Sequence, residues 1–388
     1  MRTITERMKQ VPYAGIRVVY EKAKKLESQG KKIIHMEIGR PDFDTPAVIK
    51  EKAIDALQKG FVHYTSNFGL DELREAVARK MTEENQVPTN FQEVIITPGA
   101  SAALAVAILG LLDIDEEVLI PSPLYPAYPK LVTMAGGIPV TVPLNFKNGF
   151  KLTVDALEKR VTDKTKMLII NTPHNPTGAV YGYQELSDIA EFVREKDLIV
   201  IADECYEKIV FDGEHISMAR LPGMKERTVT VNSTSKTFSM TGWRIGFLTA
   251  PLAMINSIVK VQQNLTICAP SFAQIGSIVA YEKGEELIKE MISEFTRRKS
   301  IVTDWLQRTK KIEYVEPGGS LYVFPSIHKL GMSSEQFSDY ILNEAGVAVA
   351  PGKDFGPNGE GFVRIAFTCS TQELTEGMEK IKKAIDRL

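Results

Sequence analysis

The sequence predicts an α/β fold: a mainly parallel, seven-stranded sheet covered by helices, accompanied by a smaller α+β domain. Three observations carry that prediction. Between Val94 and Thr249 short β-rich runs alternate with helical stretches. Runs such as Met167-Leu168-Ile169-Ile170 and Leu198-Ile199-Val200-Ile201-Ala202 are apolar without alternation, as in strands buried on both faces beneath helices. At 388 residues, the chain exceeds what one core usually fills.

Taken in order, the first stretch, to about Glu84, reads as helical pieces joined by loops. Thr45-Pro46 opens a helix running to about Leu57, with Thr45 as N-cap and Pro46 in the first helical position. Gly60 ends it. The expected strands follow at Val94–Thr97, Val118–Ile120, Ile138–Val142, Met167–Asn171, Leu198–Ala202, Thr228–Asn232 and Gly246–Thr249. Beyond Pro251 the chain reads as helical, including a long stretch from Glu285 to about Thr309. Strands near Ser320–Phe324, Val347–Val349 and Phe362–Ala366 precede a last helix. Strands and helices on a separate core give the smaller domain. The expected division is an N-terminal segment 1–45 contributing to the small domain, a large domain 46–285, and a small C-terminal domain 286–388.

Composition narrows the function. The apolar fraction of 44% is ordinary for a folded soluble protein. A formal net charge of −2, without a basic stripe, argues against a nucleic-acid partner. The longest apolar run, Ala102 to Leu112, is too short to span a bilayer. Met1–Arg7 is charged and lacks the apolar stretch of a signal peptide, so a cytoplasmic location is expected. Cys205, Cys268 and Cys369 are few, odd in number and far apart, which speaks against a disulfide framework. The five histidines form no HxxH or HxxxH pair, so no protein-built metal site is expected.

The polar residues gather where the strands end, and in doubly wound sheets ligands sit at those ends. Val94–Thr97 passes through Pro98-Gly99 directly into the Ala-rich helix beginning Ala100-Ser101. Free N–H groups there suit a phosphate, and an ordinary strand–helix turn reads the same way. Asp203 follows a buried strand, so its charge needs a partner; it serves as a helix cap or holds a cationic ring nitrogen. Asn171-Thr172-Pro173-His174-Asn175-Pro176-Thr177-Gly178 places two prolines after a strand. Such a fixed turn presents Asn175 as a donor, with His174 a loop residue rather than a base. Lys236 lies among hydroxyls after a strand, with Arg244 eight residues on. A crowded lysine loses its proton readily and becomes a nucleophile toward carbonyls, while Arg244 with Ser233 and Ser235 suits a phosphate dianion.

Together these segments resemble the class I/II aminotransferases, fold-type I enzymes of the aspartate aminotransferase superfamily that use pyridoxal 5'-phosphate. The resemblance covers essentially the whole chain, and its most specific motifs are Ser233–Gly246 and Asn175–Gly178. It implies that Lys236 carries the cofactor as a Schiff base and then shuttles the proton. Asp203 would pair with the pyridine nitrogen, and Asn175 and Tyr206 with the phenolic oxygen. Tyr125 would stack on the ring. Arg244, Ser233, Ser235 and the N–H groups of Ala100 and Ser101 would hold the phosphate. Tyr64 would reach the neighbouring subunit's site, implying a homodimer. Arg364 would clamp the substrate α-carboxylate, with Gly39 contacting it through its backbone. Ser122-Pro123 and Asn175-Pro176 are the implied cis bonds.

Two departures stand out. Arg40 follows Gly39 where relatives more often carry an acid. The region Gln262–Pro270, where well-studied relatives place a second arginine, has none. Arg40 and Arg17 are then the candidates for a side-chain carboxylate, with surface salt bridges the favoured reading of both. The resulting expectation is transfer of an amino group from an L-amino acid, aspartate or aromatic type favoured, to a 2-oxo acid such as 2-oxoglutarate. Alanine- or methionine-type donors are alternatives, as is a β-lyase or aminocyclopropane-carboxylate-synthase-like reaction on the same cofactor. A regulator carrying such a domain would need a DNA-binding module ahead of it, for which the match leaves no room.

Overall fold

The computed structural model describes residues 5–13 and 15–388; Met1–Ile4, the start of the charged N-terminal stretch, lie outside them. The chain forms twelve strands among these residues. They are β1 (Ile34–His35), β2 (Val94–Thr97), β3 (Glu117–Ser122), β4 (Ile138–Pro143), β5 (Thr165–Asn171) and β6 (Ile199–Asp203). β7 (Thr228–Ser233), β8 (Gly246–Thr249), β9 (Tyr322–Val323), β10 (Val347–Ala348), β11 (Ala350–Pro351) and β12 (Val363–Ala366) complete the set.

Seven of them, in the order β2-β8-β7-β6-β5-β3-β4, form the central sheet. Pairs β3–β4, β3–β5, β5–β6 and β6–β7 are parallel; only β8 runs against its neighbours β2 and β7. All seven expected strands are present, with ends moved by a residue or two. The reason the run Met167–Ile170 is apolar throughout is visible in the packing. Met167 and Ile169 enter one core cluster, with Val118, Ile201 and Val229. Leu168 and Ile170 enter another, with Leu119, Val200 and the helix residues Leu186, Ile189 and Val193. Alternate side chains of one strand thus reach opposite, equally buried faces.

The smaller sheets lie elsewhere. β11, β12 and β9 form an antiparallel ribbon, and β1 pairs parallel with β10. One core joins Ile34 and Met36 to Phe295, Val302, Ile341, Val347, Phe367 and Ile381. The N-terminal segment thereby packs with C-terminal elements. The C-terminal helix Thr371–Ile385 starts on a capping box between Ser370 and Glu373.

Two sequence expectations need correction. The first stretch is not all helix and loop, since it contains β1. That strand is two residues long, and its partner lies far along the chain. The helix after Thr45 spans Ala47–Gln58, with Pro46 as the capping residue and no side-chain cap bond. The Thr45 hydroxyl is taken elsewhere: it donates to the Ser239 carbonyl at 2.8 Å and accepts from the Trp243 indole N–H at 3.1 Å. Gly60 follows the helix at φ +81° as expected. The bonds before Pro123 and Pro176 are cis, as is the one before Pro173.

Candidate active site

A cavity of about 420 Å³ opens where β5, β6 and β7 end. Asp203, the last residue of β6, lies at its buried side. Its Oδ2 accepts from the Tyr128 hydroxyl at 2.7 Å and its Oδ1 from the Cys205 N–H at 3.2 Å. Among the described residues no cation comes within salt-bridge distance of it. Burial pushes the Asp203 carboxyl up from its ordinary value, and the hydrogen bonds from Tyr128 and Cys205 only partly offset this. The carboxylate is therefore a buried acceptor lacking a cation.

Lys236 lines the same cavity. It sits in the single helical turn Thr234–Thr237 that leaves β7, capped by the Ser233 hydroxyl accepting from the Ser235 N–H at 3.0 Å. Its Nζ donates to the Gly39 carbonyl and faces no carboxylate among the described residues. One wall is fixed by Asn171, whose Nδ2 donates to the Asp203 carbonyl at 2.8 Å and whose Oδ1 accepts from the Asn175 N–H at 2.8 Å. Asn175 in turn accepts from Arg364 Nη1 at 3.0 Å, leaving its own amide N–H groups as donors.

Arg364, on β12, is 3% exposed. Its guanidinium lies between the rings of Tyr322 and Phe355, at 4.2 and 4.8 Å from their centroids. Nη2 donates to the Glu37 carbonyl at 2.5 Å, while Nε is buried without a partner. Here too a charge is kept ready without a counter-ion. The hydroxyls of Tyr206 and Tyr322 share a hydrogen bond of 2.8 Å, and burial raises the Tyr206 phenol well above its ordinary range. Gly39 admits no side chain, because a Cβ there would meet the Tyr322 hydroxyl at 1.8 Å.

An anion corner completes the cavity. Gly99, at φ +84°, leads into the helix Ala100–Leu111, and the first N–H groups of that helix find no carbonyl. Arg244 reaches in beside them, anchored by donating to the Thr241 and Pro98 carbonyls at 3.1 and 3.2 Å. A Cβ at Gly99 would lie 2.4 Å from Arg244 Nη2, so glycine is required there on both counts. Ser233 and Ser235 line the same corner. Tyr125 also lines the cavity, edge-on to Tyr128 with centroids 5.4 Å apart.

These groups fit pyridoxal 5'-phosphate: an amine for an aldehyde, an unpaired buried carboxylate for a ring nitrogen, and a nest of donors for a phosphate. Of the residues singled out in the sequence, Gly39, Ala100, Ser101, Tyr125, Asn175, Asp203, Tyr206, Ser233, Ser235, Lys236, Arg244 and Arg364 all line this cavity. Tyr64 does not; it is 81% exposed. His174 is buried beside Thr177, and burial lowers its pKa to about 3, so it stays neutral.

Four participants went unnoticed in the sequence: Asn171, Tyr128, Tyr322 and Phe355. A signal for Tyr128 existed, since it follows Tyr125 by one helical turn at a strand end. Tyr322 had none, because its meaning comes from Tyr206 and Arg364. The salt-bridge reading of Arg17 and Arg40 is corrected: neither forms an ion pair among the described residues, and Arg17 lines the cavity. One grouping with metal-ligand chemistry occurs among the described residues, Glu204, Glu207 and His215. Its carboxylates are already engaged, Glu204 by Ser217, the Met218 N–H and His215, and Glu207 by Lys80 and Asn85.

Comparison with known proteins agrees with this geometry. The family model for aminotransferase class I and II matches residues 31–381. An aspartate aminotransferase of Pyrococcus abyssi is 45% identical over 92% of this chain and 92% of its own. Aromatic-amino-acid aminotransferase 2 of Thermococcus litoralis is 42% identical over 98% of each. The structure of Thermus thermophilus aspartate aminotransferase with maleate superposes with a TM-score of 0.94 at 33% identity, covering 99% of this chain and 100% of that one.

Proposed function

The chain belongs to the class I and II aminotransferases, which depend on pyridoxal 5'-phosphate, and from that premise we propose how its own residues divide the work. Its substrates are amino acids and 2-oxo acids. The donor is an L-amino acid of aspartate or aromatic type, the two kinds named for the relatives above. The acceptor is 2-oxoglutarate, in a ping-pong exchange. The observation that carries this reading is that an amine without a counter-ion, Lys236, and a buried carboxylate without a cation, Asp203, line one cavity with Arg364.

When bound, the cofactor supplies an aldehyde for amines and a cationic ring that accepts the electron pair left at the substrate Cα. Asp203 keeps the ring nitrogen protonated, which satisfies a carboxylate that burial otherwise pushes toward protonation. Ala100, Ser101, Ser233, Ser235 and Arg244 hold the phosphate. Tyr125 would cover the ring, and Tyr206 and Asn175 would donate to the phenolic oxygen. Arg364 and Gly39 fix the α-carboxylate and so aim the Cα–H bond. Lys236 Nζ would take the proton from the substrate Cα.

The same reading holds the division into a segment 1–45, a cofactor domain 46–285 and a C-terminal domain 286–388. It is supported by β1 pairing with β10 and by their shared core. A homodimer with exposed Tyr64 entering the neighbouring site, in the cytoplasm, completes it. No helix among the described residues is long and apolar enough to cross a membrane.

Adding a panel of amino acids to the cofactor-loaded protein tests the reading. Loss of the cofactor's visible absorbance is expected with aspartate or with aromatic amino acids. No conversion by any of them, or unchanged turnover in Lys236→Ala, refutes it.

A further inference from the structure

Four cationic side chains line the cavity among the described residues: Arg17, Lys236, Arg244 and Arg364. Three have work in the reading above. Lys236 is the reacting amine, Arg244 stands at the anion corner, and Arg364 takes the α-carboxylate. Arg17 is left over. It lies in the opening turn of the helix Gly15–Ser28, whose Ile16 and Tyr20 also line the cavity.

Its surroundings distinguish it from an ordinary surface arginine. No carboxylate among the described residues pairs with it, although the protein's surface is rich in ion pairs, with Lys22 and Lys24 of the same helix engaged by Asp339 and Glu27. Asp203 is the one acid lining the cavity, and it belongs to the opposite, buried side. A fork of donors that lines the cavity and is unclaimed suits a carboxylate.

We propose that Arg17 is the receptor for the second carboxylate of dicarboxylic substrates, supplied by the same chain as Lys236 and Arg364. It thus makes up for the absence of arginine in Gln262–Pro270. A substrate with an apolar side chain meets Ile16 and Tyr20 instead, and Arg17, an exposed residue, stays in water. The inference rests on the aminotransferase reading and adds selectivity within it.

The test compares Arg17→Gln and Arg17→Lys with the unaltered holoenzyme. For aspartate and 2-oxoglutarate, kcat/KM should fall about 10- to 100-fold in Arg17→Gln, the loss expected for charge-assisted bonds to one carboxylate. Phenylalanine should be converted as before, and Arg17→Lys should recover part of the loss. Succinate titrated calorimetrically into the holoenzyme should bind more weakly to Arg17→Gln by a similar factor, and propionate equally to both. Equal losses for aspartate and phenylalanine, no loss for either, or no recovery with lysine overturns the proposal. If no amino acid is converted by the unaltered protein, the aminotransferase reading fails first. The succinate-to-propionate contrast still decides whether Arg17 receives a second carboxylate.

Discussion

Replacing Arg364 with methionine should separate activity from stability. The guanidinium spends Nη1 on Asn175 and Nη2 on the Glu37 carbonyl, and has a buried Nε with no partner. A substrate carboxylate taking two charge-assisted bonds gains about 1.5–3 kcal/mol from each, or about 3–6 kcal/mol in all. At about 1.4 kcal/mol per tenfold, kcat/KM should fall by about 10² to 10⁴. The folded state loses contacts with Tyr322 and Phe355, about 0.5–2 kcal/mol each. It also sheds a buried charge with no carboxylate in salt-bridge distance, whose desolvation opposes folding by several kcal/mol. These terms oppose each other and methionine refills most of the volume, so the melting temperature should move little. Steady-state kinetics at saturating cofactor, with a thermal melt of the same sample, checks both halves. Activity within tenfold of the original refutes the substrate role. A melting temperature lower by more than about 10 °C would make Arg364 a structural residue instead.

Gly39→Ala should force Tyr322 off its position, since the new Cβ falls 1.8 Å from that hydroxyl. Overpacking of about 1–3 kcal/mol and a raised KM are expected, and an unchanged melt and KM would contradict the contact. Glu207→Gln should destabilise by about 3–5 kcal/mol at neutral pH, because Lys80 is then buried without its partner. Burial raises the Glu207 carboxyl, but Lys80, His215 and Asn85 outweigh it and hold it at about 2, below its ordinary 4.5. That stabilisation is present above pH 4.5 and is lost as pH falls toward 2. In urea titrations the gap between the two proteins should therefore narrow over that range; a constant gap would refute the pairing. Tyr64→Phe should speed cofactor dissociation without altering the melt of the apoprotein, and an unaltered dissociation rate would exclude Tyr64 from the phosphate.

The sheet was legible because its inner strands β5 and β6 are buried on both faces and read as unbroken apolar runs, Met167–Ile170 being the plainest. β1 was not, because two residues carry no period and their pairing with Val347-Ala348 is set by tertiary packing. Thr45 was misread for a related reason: a hydroxyl before a helix is a capping signal, yet Ser239 and Trp243 compete for it from far along the chain. In the site, residues at strand ends could be picked out by type and place, as with Lys236 and Asp203. Tyr322 could not, since a tyrosine looks the same in a core as against a second hydroxyl and a guanidinium. Arg17 is a middle case, visible as a spare cation in the sequence but given a role only by the helix Gly15–Ser28, which lines the cavity through Ile16, Arg17 and Tyr20.

Glu37 and Gly39 give one backbone stretch two tethers: the Glu37 carbonyl holds Arg364 and the Gly39 carbonyl holds Lys236. Chain order then matters during synthesis. The sheet that bears Lys236 and Asp203 leaves the ribosome well before β12 does. A nascent chain halted before Phe362 would have the amine, its carboxylate and Arg244 but not Arg364. It would also lack the helix Thr371–Ile385, whose Leu374, Met378 and Ile381 share a core with Ile34, Met36 and Tyr206, so the tether at Glu37 forms only when the last elements dock.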